Sequence, residues 1–341
     1  MGPKISINIP VFNGEKYIRA TLESIRAQDF ADFEVVCVDD CSTDKSLGIL
    51  RDYEKIDSRF RVFKTGHNLG SVPKVLKSYF QEIRGEMWVY SSQDDVFSKD
   101  WLGCMYRRIL ETGADATIPD LVFFHEGNPQ SDVRLTGVNG DRKTVLSGRD
   151  AFRLSLNWTI PGNALWRIHL LRGIGFFDFG MNADEYTVRK WFLGSNTVAF
   201  SCGTFYYRQD NPDAITKVTS LKSFDIPFTD FQLWKLCVEE SFDSEVANPL
   251  LIASVMGLVG FASLTFCGEF RGELAAGVIT KCYDAYKDED AFGYLWGSPD
   301  FGRRTLLALV ALKNRRLFIV LSFLVFAKRE VRKTLRKLVG P

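Results

Sequence analysis

Residues 1–126 predict an open α/β sheet, mostly parallel and covered by helices, with a helical region added toward the C-terminus. Three observations predict it. Apolar β-branched runs alternate with segments of helical spacing, the runs are apolar on both faces, and after residue 216 only helical patterns remain. A chain of 341 residues, 46% hydrophobic and 25% charged, is long enough for two domains with separate cores.

Residues 5–9 (Ile-Ser-Ile-Asn-Ile) read as the first strand, entered directly from Met1-Gly2-Pro3-Lys4, so no secretory signal is expected. Within 14–27, Tyr17, Ile18, Leu22 and Ile25 recur at helical spacing. Residues 33–38 (Phe-Glu-Val-Val-Cys-Val) read as the second strand, and Ser42 with Thr43 is expected to cap a helix running toward Tyr53. A strand at 60–64, a helix at 72–83, a strand at 87–90, a helix at 101–110 and a strand at 121–124 complete the alternation.

Lys+Arg 43 against Asp+Glu 42 gives a net +1, no electrostatic match for nucleic acid over the whole molecule. The balance is uneven. Residues 303–341 hold eleven Lys/Arg and one acid, Glu330, so this segment carries +10 and the rest −9. Seven scattered cysteines without a CxxC pair, and only three His, read as a reducing compartment without a zinc site.

In open sheets of this class ligands bind at the carboxyl ends of the strands. Strand one ends in Pro10-Val11-Phe12-Asn13-Gly14, strand two in Asp39-Asp40-Cys41-Ser42-Thr43-Asp44, and the fourth in Ser91-Ser92-Gln93-Asp94-Asp95. Helix capping accounts for one carboxylate at each end and leaves the others idle. Clustered acids repel unless a cation or hydrogen-bond donors compensate. Oxygen donors without His or Cys suit Mg²⁺ or Mn²⁺, which neutralise a diphosphate leaving group. Neither GxGxxG nor GxxxxGK[ST] occurs near strand one, which disfavours a dinucleotide dehydrogenase and a P-loop kinase.

In this order and spacing the residues resemble the inverting family 2 glycosyltransferases of the GT-A fold, from about residue 5 to about 216. Ile9-Pro10-Val11-Phe12-Asn13 is similar to the family's P-x-[FY]-N, residues 38–44 to its [VI]-D-D-x-S-x-D, and Asn68-Leu69-Gly70 to its N-x-G. The resemblance implies that Pro10, Phe12, Asn13 and Glu15 lie near the base and ribose of a nucleotide-diphosphate sugar, usually uridine-based. It implies that Asp39 accepts from the base, while Asp40 either joins it or holds the loop in shape. Asn68 belongs to the same pocket, and Lys74 either approaches the nucleotide or is an ordinary solvated lysine. The Asp-x-Asp metal motif falls on Ser92-Gln93-Asp94 followed by Asp95, with Ser92 a departure from the pattern. Asp94 is then expected to meet the ribose or sugar and Asp95 the metal, Mn²⁺ or Mg²⁺.

On the acceptor side the resemblance makes Asp184 the general base, with its neighbour Glu185 as the alternative and Ala183 where many relatives carry an acid. Asp and Glu in a first helical turn also favour the macrodipole, so a plain helix start stays open. Arg208, in a segment similar to the family's closing Y-x-R, is expected to offer its fork to the diphosphate. Trp158, before an apolar strand ending at Trp166, either stacks on a sugar or packs the core. The loop 127–141 is expected to be mobile and near the acceptor.

The implied organisation is a GT-A domain over 1–216, with a nucleotide-binding half at 1–126 and an acceptor half at 127–216. A helical region at 217–302 and a basic amphipathic tail at 303–341 follow. The uncharged run 250–267 reads as a buried or interfacial helix rather than a span. The tail reads as lying on an anionic membrane surface, which suggests a lipid-linked oligosaccharide acceptor at the cytoplasmic face of a bacterial inner membrane. A homo-oligomer, a non-catalytic membrane-associated scaffold and a sugar-nucleotide pyrophosphorylase stay open.

Overall fold

The structure, a computed structural model, describes residues 2–214, 217, 223 and 225–266, with side chains as far as 258. It divides into two units, Met1–Phe179 with Ala183–Ala214, and Gly180–Asn182 with Ile215–Pro341.

The first unit begins with β1 (Ile5–Val11), α1 (Ile18–Arg26), β2 (Phe33–Asp39), α2 (Ser46–Ile56), β3 (Phe60–Lys64), α3 (Val72–Tyr79) and β4 (Met87–Tyr90). Then come β5 (Val96–Phe97), α4 (Trp101–Thr112), β6 (Ala116–Phe124), β7 (Val133–Leu135), β8 (Leu146–Ser147) and α5 (Gly148–Ser155). It closes with β9 (Leu165–Arg167), α6 (Ile168–Ile174), α7 (Ala183–Gly194) and β10 (Thr197–Arg208). All ten strands share one sheet in the order β3-β2-β1-β4-β9-β6-β10-β5, with β7 on β6 and β8 on β10.

Strands β1 to β4 pair in parallel, as the sequence predicts for this part of the sheet. Every residue of β1 and β2 is buried, so both faces need helices, and α1 supplies Ile18, Thr21, Leu22 and Ile25 from a single stripe. The three-residue β9 enters antiparallel between β4 and β6, too short to carry a readable alternation. Beyond it β6 and β10 are again parallel, with Phe123 opposite Tyr207 and Phe124 opposite Arg208.

Two expectations are corrected. The loop after β6 has structure of its own: β7 pairs with β6, and the buried Asp120 carboxylate binds Arg134 of β7 (2.9 Å) and Arg142 just past the loop (2.9 Å to Nε). Cys104 of α4 and Cys202 of β10 form a disulfide with their Cα atoms 5.9 Å apart. Sequence spacing gave no sign of it, because the two residues are 98 positions apart and meet only through the helix packing on the sheet.

In the second unit α8 (Asp225–Glu239) and α9 (Ser244–Phe266) bury Phe231, Trp234, Leu251 and Val255, and Asp225 Oδ2 accepts from the Met181 N–H at 2.7 Å. Among the described residues no helix is long and apolar enough to cross a membrane. The basic tail, 303–341, lies outside the described residues.

Candidate functional site

The loops after β1 and β2 are stitched to one another. The Asn13 N–H donates to Ser42 Oγ (3.0 Å), and Asn13 Oδ1 accepts from the Thr43 N–H (2.8 Å). The Gly14 N–H donates to Ser46 Oγ (2.8 Å), and Glu15 Oε2 accepts from the Lys45 N–H (2.9 Å). Ser42 and Thr43 therefore do not cap α2; the helix starts at Ser46, whose N–H donates to Asp44 Oδ1 (2.9 Å). Competition with a tertiary partner moved the cap.

The Gln93 side chain clamps the same loop from the β4 side. Its Oε1 accepts from the Phe12 N–H (2.8 Å), and its Nε2 donates to the Phe12 carbonyl (3.1 Å). A Cβ on Gly14 would lie 2.6 Å from Gln93 Oε1, so this position has to be glycine for the amide to reach. Phe12 is left 44% exposed. Asn13, Glu15 and Gln93 thus hold the loop after β1 in shape, with Phe12 exposed on it. Pro10 is buried near the end of β1, past the last pair with β4 at Asn8–Tyr90, where a missing N–H breaks no ladder.

Asp39 and Asp40 divide their work. Asp40 Oδ1 accepts from Thr65 Oγ1 (3.0 Å) and the Leu69 N–H (2.8 Å), and Asn68 Nδ2 donates to the Asp40 carbonyl (3.1 Å). Asp40 and Asn68 thereby fix the 65–70 turn. Asp39 Oδ2 accepts only from the Ser42 N–H (3.2 Å), and its buried Oδ1 has no partner. An unpartnered buried carboxylate oxygen is costly, which marks Asp39 as the acid of the pair with an acceptor to spare. Lys74, on α3, is exposed.

After β4 the chain turns through Asp94 and Asp95 into β5. Asp94 Oδ2 accepts from Asn211 Nδ2 (2.7 Å), and Asp95 Oδ1 accepts from the Arg208 N–H (3.1 Å). Asp95 is 1% exposed, and its Oδ2 is buried without a partner. Burial, reinforced by the charge of Asp94, pushes the Asp95 carboxyl up to about 8.

Arg208 does not present a free fork to a diphosphate. Its side chain is buried between the rings of Tyr17 and Phe124, bonded to the Asp94 carbonyl (2.9 Å), Glu126 (2.7 Å) and Asp210 (3.1 Å). It holds the acid pair in place instead.

The second acid pair opens α7. The Glu185 carboxylate is ion-paired with Arg189 one turn on, and Arg189 Nη2 also donates to the Ser155 carbonyl (2.9 Å). Asp184 Oδ1 is buried without a partner. Burial, with the neighbouring charge of Glu185, pushes the Asp184 carboxyl up to about 7. An apolar cavity lined by Tyr90, Phe176, Val188 and Trp191 adjoins it.

Two tyrosines join the acid pairs. Burial comes first in raising the Tyr90 hydroxyl well above its ordinary value, followed by the charges of Asp184, Glu185 and Asp95. Tyr207 is pushed up to about 12 by burial and then by Asp95, Asp94, Asp184 and Glu185. The acids after β4 and those opening α7 therefore share one electrostatic neighbourhood.

Tyr90, Arg189, Tyr207 and Asn211 were not singled out by sequence. The four-residue spacing of Glu185 and Arg189 was a readable sign; the tyrosines and Asn211 gave none. Among the described residues no His, Cys or third carboxylate completes a protein-only metal shell at this edge. Two carboxylates, one with an orphaned oxygen, still fit a cation that takes its remaining oxygens from substrate phosphates and water.

Residues 6–165 match the family model described as Glycosyl transferase family 2. The chain is 28% identical over 211 residues to the poly(ribitol-phosphate) beta-N-acetylglucosaminyltransferase TarS of Staphylococcus aureus, covering 60% of this chain and 35% of that protein. It thus spans about a third of the length of that relative. Among solved structures it is similar to S. aureus TarS residues 1–349 in complex with UDP-GlcNAc, with a TM-score of 0.64 at 20% identity, over 96% of this chain and 91% of that one. It is also similar to a mannosyltransferase from Pyrobaculum calidifontis in complex with GDP-Man and Mn²⁺, with a TM-score of 0.50 at 15% identity, over 97% and 87%. With the sheet order and the strand-end acids already pointing the same way, these likenesses show a glycosyl transferase family 2 region over residues 6–165, on a GT-A fold.

Proposed function

We propose that this protein transfers a sugar, with inversion, from a nucleotide-diphosphate sugar to a saccharide acceptor in the building of a bacterial surface polysaccharide. The observation that carries this reading is the pair of orphaned carboxylate oxygens, Asp95 Oδ2 and Asp184 Oδ1, on two acid groups that share Tyr90 and Tyr207. UDP-GlcNAc is the first donor to test, because TarS is solved with it.

Asp184 is the general base. As the acceptor oxygen bonds to the anomeric carbon, the bond to the diphosphate breaks and its electron pair leaves with the nucleotide, while Asp184 takes the acceptor proton. A carboxyl raised to about 7 is well matched to that transfer near neutrality. Glu185, ion-paired with Arg189, adds to the burial that holds Asp184 high and supports positive charge developing on the sugar. Asp95 and Asp94 would hold Mn²⁺ or Mg²⁺, which supplies neutralisation of the departing diphosphate. Asp39 takes the base through its free oxygen, and Phe12 covers it. The tail at 303–341 seats the enzyme on an anionic inner-membrane surface, where a lipid-linked acceptor is within reach.

UDP release from UDP-GlcNAc, measured with Mn²⁺ and again with chelator, tests the reading. Metal-stimulated release supports it; no release from any of a panel of UDP-, GDP- and dTDP-sugars would reject it. A smaller effect is expected at Gln93. Gln93→Leu removes two bonds to Phe12, each worth about 1 kcal/mol, and should lower Tm by a few degrees. It should raise the donor KM about tenfold at a near-constant kcat, since it loosens the base pocket and leaves the acids alone. Thermal melts and initial rates measure both.

A further inference from the structure

Trp158 stands apart from the machinery above. Its side chain is 42% exposed, and its backbone holds φ +60°, a left-handed conformation that bulky residues rarely adopt. Its neighbours lock that conformation. The Trp158 N–H donates to the Ser155 carbonyl (3.2 Å), the same oxygen that receives Arg189 Nη2. On the other side Asn157 Oδ1 accepts from the Thr159 N–H (3.1 Å) and hydroxyl (2.7 Å). An indole kept in water by a strained but well-bonded backbone is placed rather than left over.

The ring also has a direction. Trp158 lies 6.3 Å from Phe123, and Phe123 meets Tyr207 edge-on at 5.7 Å, centroid to centroid. Tyr207, like Tyr90, feels both acid pairs. An aromatic path therefore runs from the carboxylates outward along the ends of β6 and β10 to an exposed indole.

We propose that Trp158 is the platform for the acceptor's pyranose ring, and that the acceptor is accordingly a cyclic saccharide rather than an alditol-phosphate chain. This rests on the glycosyltransferase reading above and names its acceptor class. A pyranose offers a rigid, apolar C–H face that lies flat on an indole, and a linear alditol offers none. A polyphosphate chain calls for free cations. Five arginines on the surrounding elements are already engaged: Arg208 with Glu126 and Asp210, Arg189 with Glu185, Arg153 with Asp150, and Arg134 and Arg142 with Asp120.

The test uses the full chain with UDP-GlcNAc and Mn²⁺. Methyl β-glycosides and disaccharides of glucose, galactose and N-acetylglucosamine are compared with a ribitol-phosphate oligomer. Trp158→Ala is expected to raise the pyranoside KM at least tenfold, with Trp158→Phe recovering most of it, and to leave donor hydrolysis within twofold of wild type. In saturation-transfer NMR, which needs no turnover, the ring protons of one face of the glycoside should receive saturation in wild type and lose it in Trp158→Ala. A pyranoside KM indifferent to Trp158→Ala, preferred use of the ribitol-phosphate oligomer, or no saturation of any glycoside in wild type would overturn the proposal. Absence of donor hydrolysis with every nucleotide sugar of the panel above would instead reject the glycosyltransferase reading, and the NMR comparison would still decide the role of Trp158.

Discussion

Asp184→Asn is expected to lower kcat by about 10²–10⁴-fold, the span of a lost general base, with the donor KM little changed. Glu185→Gln should cost far less, because Glu185 is bound to Arg189 and takes no proton from the acceptor. The wild-type pH profile carries the same assignment. The base works deprotonated, so kcat/KM should rise about tenfold per pH unit and level off near 7, where Asp184 is placed, not near 4.

Stability should move the opposite way. In the unfolded chain this carboxyl releases its proton near pH 4, and in the folded protein it keeps it to about 7. Its contribution to stability is therefore present in full below about pH 4 and gone above about 7. Asparagine does not ionise, so Asp184→Asn should melt no lower than wild type at pH 8 while being nearly inactive. A variant that loses Tm and activity together would point to a plain helix start at this position.

Asp95→Asn is the second large effect. It keeps the shape of a fully buried side chain and the oxygen that accepts from the Arg208 N–H, but removes the charge that would hold a cation. Charge stabilisation by a metal is worth several kcal/mol, and each 1.36 kcal/mol is a decade, so UDP release should fall at least about 10²-fold. Thermal shift gives a readout independent of turnover. Mn²⁺ with UDP should raise the wild-type Tm and leave that of Asp95→Asn unmoved. An equal rise in both proteins would remove Asp95 from the metal site.

How much of this was legible beforehand depended on how local each signal was. β1 to β4 and their helices could be read because β-branched runs alternate with helical spacing, and the sheet buries both faces of β1 and β2, polar Ser6, Asn8 and Glu34 included. The strand-end acids could be located because parallel topology brings the same end of each strand to one edge. β5, β8 and β9, of two or three residues, were too short for any periodicity, and they form because neighbouring strands leave edges to fill.

Sequence by itself determined the parallel half-sheet and the positions of Asp39, Asp94, Asp95 and Asp184, since alternation and residue type are properties of the chain. Only the tertiary structure decided which of these groups keep an oxygen free. Asp40 spends its carboxylate on Thr65 and Leu69, Arg208 its fork on Glu126 and Asp210, and Glu185 its charge on Arg189. Partners as far as 82 residues away made those choices. A hydrogen bond is satisfied by what lies within 3 Å in space, and one-dimensional spacing records that only when the partner is a helical turn away.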